Sequence, residues 1–164
     1  MSAAIIRQAG EGELMWFAGG GAFRWKATAA ETGGAILVLE DRMERGKVTP
    51  YHLHPEEDEG LYLIDGELLV NVAGEEQRVG PGGFFFVPRG IPHAFMVTSD
   101  SAHVLAFQTP GTGEAFYRAA GEPVETEEAA ARPADWQRLQ RVAAESPSIE
   151  VLGPPPFKAA ASRS

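Results

Sequence analysis

The chain has 164 residues, a formal net charge of -9 and no cysteine. This length suits one domain with a sizeable core, and without cysteine any metal would be held by nitrogen and oxygen ligands. The acidic balance argues against nucleic-acid binding, which needs clustered Lys and Arg, and no apolar run is long enough to span a membrane. We therefore expect a soluble, cytoplasmic protein with neither a nucleic acid nor a membrane as partner.

Between residues 15 and 109 the chain reads as short apolar or alternating segments separated by Gly, Pro, Asp or Asn, which is typical of strands. The predicted strands are AILVLED (35–41), LYLI (61–64), ELLVNV (67–72), EQRV (76–79), GFFFVP (83–88), HAFMV (93–97) and AHVLAFQ (102–108). Asp65-Gly66 predicts a tight hairpin between the second and third of these, and Ala73-Gly74 predicts a looser one before the fourth. Regularly spaced short strands predict an all-β sandwich or barrel over residues 1–110, closed so that few sheet edges are exposed.

The pattern changes after Pro110. GEAFYRAAG (113–121) and AARPADWQRLQRVAAES (130–146) predict two helices, the second with Trp136 and Leu139 on its apolar face. Extended chain follows, and residues 158–164 are predicted to fray. We expect residues 111–164 to be a short helical extension of the same single domain. This extension and the N-terminal strands offer apolar surface, from which we predict a homodimer.

Two histidines lie one residue apart in YHLHPEEDEGL (51–61). Residues i and i+2 of a strand point to the same face about 6.5 Å apart, so His52 and His54 can aim at one point. Glu59 would open the next strand beside them, and His93 begins another strand after a Pro- and Gly-rich turn. Three imidazoles and one carboxylate suit one divalent transition metal, such as Fe, Mn, Co, Ni, Cu or Zn. The alternative is that these are ordinary polar residues on a surface strand.

These residues resemble the two motifs of the cupin superfamily. The pattern Gly-x5-His-x-His-x4-Glu-x6-Gly is met by Gly46, His52, His54, Glu59 and Gly66. The pattern Gly-x5-Pro-x-Gly-x2-His-x3-Asn is met by Gly82, Pro88, Gly90 and His93, with Val97 in place of the final Asn. The resemblance implies a cupin jelly-roll β-barrel, also called a double-stranded β-helix, with a short C-terminal helical appendage. It also implies that the metal ligands are His52, His54, Glu59 and His93.

The flanking segments GEGELMWFAGGGAFRWKATAAETGGAILVLED (10–41) and TPGTGEAFYRAAGEP (109–123) are similar to those of single-domain quercetinase-like cupins, which are flavonol dioxygenases. This resemblance implies a metal-dependent dioxygenase that uses O2 to open the ring of a flavonol or a similar aromatic enol. Glu59 would then be the catalytic base that takes the proton of the substrate hydroxyl. Two alternatives stay open: another metallo-cupin enzyme (an isomerase, decarboxylase, lyase or natural-product tailoring oxygenase), or a barrel that only binds a small molecule.

Strand alternation predicts the walls of a substrate pocket. Counting from Glu59 places Leu61 and Leu63 inside, and counting from His93 places Phe95 and Val97 inside; packed core is an equally good interpretation of all four. One of the three phenylalanines at 84–86 should also face the cavity. Which one cannot be counted from His93, because a turn lies between them.

Three further expectations concern single positions. Gly60 inside a strand leads to the hypothesis that it lets Glu59 move between metal ligation and proton transfer. The acidic run 56–58 is predicted to be a solvated turn. His103 fits neither motif and is predicted to be an ordinary strand residue.

Overall fold

The structure is a computed structural model that describes residues 3–158. Its strands are β1 Leu14–Phe17, β2 Ala22–Ala27, β3 Leu37–Glu44, β4 Tyr51–Leu53, β5 Asp58–Asp65, β6 Leu68–Val72, β7 Glu75–Val79, β8 Phe84–Val87, β9 His93–Val97, β10 Ser101–Thr109, β11 Gly121–Pro123 and β12 Glu150–Gly153. Its helices are α1 Ala29–Thr32, α2 Glu114–Ala120, α3 Glu127–Ala130 and α4 Trp136–Glu145, with a 3-10 turn at Gly111–Gly113.

The strands form two antiparallel sheets. One has the order β11-β1-β2-β3-β10-β5-β8 and the other the order β12-β4-β9-β6-β7. A shared core joins them: Leu61 and Leu63 of the first sheet pack in one buried cluster with Leu68 and Val97 of the second. The predicted all-β jelly roll is therefore confirmed. Its strands form two hydrogen-bonded sheets within residues 3–158, as in a sandwich, and these sheets do not join into one closed barrel.

The tight hairpin lies at the second of the two predicted turns and not at the first. The predicted hairpin at Asp65-Gly66 is wrong, because β5 pairs with β10 and β8 whereas β6 pairs with β7 and β9. The chain crosses between sheets there, and a Cβ on Gly66 would lie 2.3 Å from the carbonyl oxygen of Ser101. The tight two-residue hairpin is at Ala73-Gly74, where both φ angles are positive, 51° and 91°.

The C-terminal extension contains the two predicted helices, α2 and α4, but it is not only helical. It also contributes an edge strand to each sheet, since β11 pairs with β1 and β12 pairs with β4. The helix α4 begins at Trp136, later than predicted, where the Asp135 carboxylate accepts a hydrogen bond from the backbone N–H of Arg138. Trp136 itself is 47% exposed. The extension therefore forms one edge of each sheet.

Both surfaces from which the homodimer is predicted have partners within the chain. β1 pairs with β2 and β11, and α4 packs on α2. The homodimer stays a prediction. Fraying was predicted for residues 158–164, of which residues 159–164 lie outside the described residues. Within the described residues, no helix has the length and apolarity needed to cross a membrane.

Candidate metal centre

Four side chains from both sheets converge on one point. His52 lies on β4 opposite His93 on β9, His54 follows directly after β4, and Glu59 lies on β5 of the other sheet. Each offers one ligand atom, and these atoms all lie within 4.8 Å of one another. All four residues are at most 9% exposed. The structure thus brings together the residues that the two motifs single out.

Backbone carbonyls fix the orientation of all three imidazoles. Nδ1 of His52 lies 2.8 Å from the oxygen of Pro50, Nδ1 of His54 lies 2.7 Å from the oxygen of Ser148, and Nδ1 of His93 lies 3.0 Å from the oxygen of Ile91. Because a carbonyl can only accept, each Nδ1 carries the proton and donates it. The Nε2 atom of each ring is left as the atom that can bind a metal.

The unpaired imidazole nitrogen and the carboxylate at the centre of the cluster fit a cation. Nε2 of His93 is buried and has no hydrogen-bond partner among residues 3–158, which costs about 1–3 kcal/mol if it stays unpaired. Glu59 Oε2 lies 2.7 Å from Nε2 of His54 and 3.9 Å from Nε2 of His93. Three neutral nitrogens and one carboxylate are a borderline donor set, so this His-His-Glu-His group could bind a divalent transition metal.

Electrostatics favours the protonation states that a metal requires at His52 and Glu59, but opposes the neutral ring that it requires at His54. Burial, reinforced by the neighbouring His93 and His54, lowers the pKa of His52 to about 3, so that this ring is neutral near pH 7. Burial alone would raise the pKa of Glu59, but the charges of His54 and His93 and the hydrogen bond from His54 hold it well below its usual value. Burial would lower the pKa of His54, and Glu59 outweighs this and raises it. Metal binding therefore competes with protonation of His54.

Gln108 is a member of the site that the sequence analysis missed. It is buried on β10 directly opposite Glu59. Its Nε2 lies 3.2 Å from Glu59 Oε2 and 3.4 Å from Nε2 of His54. Strand alternation could have identified it, because Val104, Ala106 and Gln108 lie on the same inward face of β10. A polar residue after two apolar ones on an inward face indicates a possible site residue.

The acidic run is not a solvated turn throughout, which corrects that prediction. Glu56 is exposed, and Asp58 pairs with Arg89 at 3.0 Å. Glu57, however, is only 1% exposed, and its Oε1 accepts a hydrogen bond of 2.6 Å from the hydroxyl of Thr112. Residue 57 lies one position before β5 and two positions before Glu59. Strand alternation that begins at residue 57 turns its side chain to the same inward face as that of Glu59.

A cavity of about 550 Å³ lies beside the four-donor cluster. His52, His54 and Glu59 form part of its wall, together with the predicted pocket residues Leu61 and Phe95. The rest of the wall is mostly apolar. The C-terminal extension supplies a large share of it, including Phe116, Tyr117, Leu139, Ile149 and Pro154.

Leu63 and Val97 do not line this cavity, which corrects their predicted place in the pocket. Both face inward, as alternation predicts, but they pack in the shared core cluster. Each lies two residues beyond a lining residue on its strand, past Leu61 and Phe95 respectively, so the same face passes from the cavity into packed core. Parity predicts the face of a strand but not the depth at which the cavity ends.

The three phenylalanines of β8 also lie outside the cavity wall. Phe85 packs against the shared core, whereas Phe84 and Phe86 are exposed on the outer face. Gly60 has a steric role toward this outer face, because a Cβ there would lie 2.2 Å from Cζ of Phe107. The glycine leaves room for that ring, which is a reason for its presence independent of any movement of Glu59.

Comparisons with known proteins agree with this architecture. Residues 39–107 match the family model described as Cupin domain. The chain is 27% identical over 120 residues to "Quercetin 2,3-dioxygenase" of Bacillus subtilis (strain 168), which covers 73% of the chain and 35% of that protein. It is 37% identical over 75 residues to "Tetracenomycin polyketide synthase protein TcmJ" of Streptomyces glaucescens, covering 45% of the chain and 50% of that protein.

Among solved structures, an RmlC-like cupin from Shewanella frigidimarina NCIMB 400 superposes with a TM-score of 0.58 at 18% identity, over 66% of the chain and 92% of that structure. This likeness concerns the fold alone. The chain spans only about a third and a half of the two sequence relatives. With both motifs present and the jelly roll in place, these comparisons support the assignment of the chain to the cupin superfamily.

Proposed function

We propose that the protein is a metal-dependent dioxygenase that uses O2 to open the ring of a flavonol or a similar aromatic enol. The observation that carries the proposal is the convergence of three imidazole Nε2 atoms and one carboxylate, of which His52, His54 and Glu59 lie in the wall of a large, mostly apolar cavity. A flat aromatic substrate suits such walls. The likeness to quercetin 2,3-dioxygenase extends over 73% of the chain and supports the same reaction class.

His52, His54, His93 and Glu59 would hold the metal. Once bound, a divalent transition metal would supply Lewis acidity toward an enol oxygen and a centre at which O2 and substrate can meet. The protein supplies the fixed geometry, since three backbone carbonyls hold the imidazoles in place. Burial of the cluster keeps bulk water away from it.

Glu59 is proposed as the catalytic base. Its carboxylate is ionised, because His54 and His93 hold its pKa well below the usual value even though burial opposes this. A substrate hydroxyl that reaches the cluster therefore meets a carboxylate that can accept its proton. Gln108 donates to Oε2 at 3.2 Å and restrains the orientation of the base.

A second candidate is a tailoring oxygenase that acts on a polyketide. The observation in its favour is the 37% identity to the tetracenomycin polyketide synthase protein over 75 residues. The same ligands and cavity would serve both reactions, so the two candidates differ in the substrate and not in the proposed site.

The test uses protein purified without a nickel column and analysed for bound metals. Addition of quercetin should start O2 uptake, measured with an oxygen electrode, in step with the loss of flavonol absorbance. Glu59→Gln should lower the rate by about 10²–10⁴-fold, the range expected for a lost general base. The control is Glu76→Gln, which changes an exposed carboxylate on β7 and should leave the rate unchanged. Turnover in strictly anaerobic buffer, or no O2 uptake with any flavonol, would exclude the dioxygenase; turnover of a polyketide alone would favour the second candidate.

A further inference from the structure

The cavity contains an ion pair that the four-donor cluster does not use. Nζ of Lys47 lies 3.0 Å from Oδ2 of Asp41, and both side chains contribute to the cavity wall. The two side chains are only 10% and 14% exposed. This pair places an ammonium group and a carboxylate in a wall that is otherwise mostly apolar.

The pair is well separated from Glu59. On β10, Val104 lies opposite Asp41 and Gln108 lies opposite Glu59. These two register positions are four residues apart, which is about 13 Å along the strand. A ligand that occupies the whole cavity can therefore touch the four-donor cluster with one end and the ion pair with the other.

Stability does not account for the pair. Removing two charges from water costs several kcal/mol per ion before their attraction compensates, and apolar replacements of buried pairs are often neutral or stabilising. A polar group that fixes the orientation of a ligand is a common feature of apolar pockets. A binding role therefore explains the pair better than a structural one.

The ammonium group of Lys47 is held in place and keeps donors free. The backbone N–H of Lys47 donates to Glu44 and its carbonyl accepts from Val97, so the residue is anchored on both sides. Its Nζ lies 5.6 Å from the centre of the Phe17 ring, within cation–π range. Asp41 takes one of the three N–H donors, and the part of the chain that the structure describes offers the ammonium no second acceptor.

We propose that Lys47, positioned by Asp41, binds a ring hydroxyl oxygen, or its phenolate form, on the part of an aromatic ligand far from the four-donor cluster. The ligand class rests on the proposed function, whereas the role of Lys47 rests on the cavity. A hydrogen bond from an ammonium group to such an oxygen is charge-assisted and stronger than a neutral one. Lys47 would therefore select polyhydroxylated aromatic ligands over plain ones.

The test compares two flavonols that share the 3-hydroxyl group. Quercetin carries further ring hydroxyls, and 3-hydroxyflavone does not. Affinities are measured by titration calorimetry on metal-loaded protein in anaerobic buffer, so that no turnover occurs. The paired variant Lys47→Met/Asp41→Asn removes both charges without leaving one buried alone. It should weaken quercetin binding by about tenfold or more and change 3-hydroxyflavone binding by less than about threefold.

A matched control removes a similar ion pair outside the cavity. Lys26 and Glu40 lie 3.1 Å apart with side chains 18% and 19% exposed, and Lys26→Met/Glu40→Gln should leave both affinities unchanged. If the paired cavity variant fails to fold, Lys47→Gln gives the same comparison and should still weaken quercetin selectively.

Equal losses for both flavonols, no loss for either, or no binding of either by the unaltered protein would each overturn the proposal. The outcome is independent of the reaction. Selective loss of quercetin affinity in a protein that consumes no O2 would keep the role of Lys47 and exclude the dioxygenase. O2 uptake together with equal losses of affinity for both flavonols would support the dioxygenase and exclude the role of Lys47.

Discussion

Two imidazole–carboxylate contacts of nearly equal length lie on opposite faces of the seven-stranded sheet. On the inner face, Nε2 of His54 lies 2.7 Å from Glu59. On the outer face, Nε2 of His103 lies 2.6 Å from Glu40. The distance alone does not distinguish a candidate metal centre from an ordinary surface cluster.

The two contacts differ in where the compensating positive charge comes from. Glu40 has Lys26 at 3.1 Å and Arg42 at 3.9 Å, so the protein itself supplies cations to the outer contact. Glu59 has only imidazoles as ion-pair partners within residues 3–158. The inner cluster therefore contains a carboxylate and imidazole nitrogens that an external cation would complete, whereas the outer cluster is already complete.

The largest effect is expected from a variant that removes a donor of the inner cluster alone. His52→Ala removes one of four donors, and metal content per chain, measured by elemental analysis, should fall by more than about tenfold, since even residues that only support a ligand change metal affinity by 10–100-fold. His103→Ala is the matched control and should leave metal content unchanged. Equal losses in both variants would show that the outer face also holds metal and would remove the distinction.

Much of the inner cluster could be predicted because its geometry is local. His52 and His54 share a face through strand alternation, and the motif spacing places Glu59 and His93 on neighbouring strands. The strands themselves were predictable for the same reason. Parity then gave the inward face of β5 and β9 but not the depth of the cavity, since Leu61 lies in its wall and Leu63 lies in the packed core.

What failed depends on contacts between distant parts of the chain. The turns at Asp65-Gly66 and Ala73-Gly74 look alike in sequence, and only the pairing of β5 with β10 decides which of them is a hairpin. Gln108 reaches Glu59 across 49 residues, and Ser148 reaches His54 across 94. Local patterns carry no information about such partners.

An intermediate effect tests how far the two faces are coupled. Gly60 lies between inward-facing Glu59 and the outer ring of Phe107, and a Cβ there would overlap that ring. Gly60→Ala should lower the free energy of unfolding in urea by about 1–3 kcal/mol, the usual cost of overpacking. In a Phe107→Ala background the cost should shrink, because the ring is gone.

Gly80→Ala is the control for the Gly60 experiment, since a Cβ there meets nothing within 4 Å. It should change the unfolding free energy by no more than about 0.5 kcal/mol. Gly60→Ala that slows turnover equally with and without the Phe107 ring would favour the hypothesis that Glu59 must move. Turnover that recovers when the ring is removed would favour packing.

The smallest expected effect concerns the outer contact. Burial opposes ionisation of Glu40, but hydrogen bonds from His103 and Lys26 outweigh it and lower its pKa below the ordinary 4.5. A carboxyl group with a lowered folded-state pKa stabilises the protein above its unfolded pKa, and this contribution is lost as the pH falls through the folded value. Glu40→Gln should therefore cost no more than about 1 kcal/mol near pH 7, and the cost should shrink as the pH falls below 4.5.

Urea unfolding near pH 7 and at the lowest pH at which the protein stays folded measures this difference, with Glu76→Gln on the exposed strand β7 as the control. A cost of Glu40→Gln that does not change with pH would mean that packing, and not charge, holds the outer contact. Metal content gives the sharper comparison: if Glu40→Gln leaves it intact while Glu59→Gln lowers it, two contacts of nearly equal length differ in function because, among residues 3–158, Glu40 has lysine and arginine partners whereas Glu59 has only imidazoles.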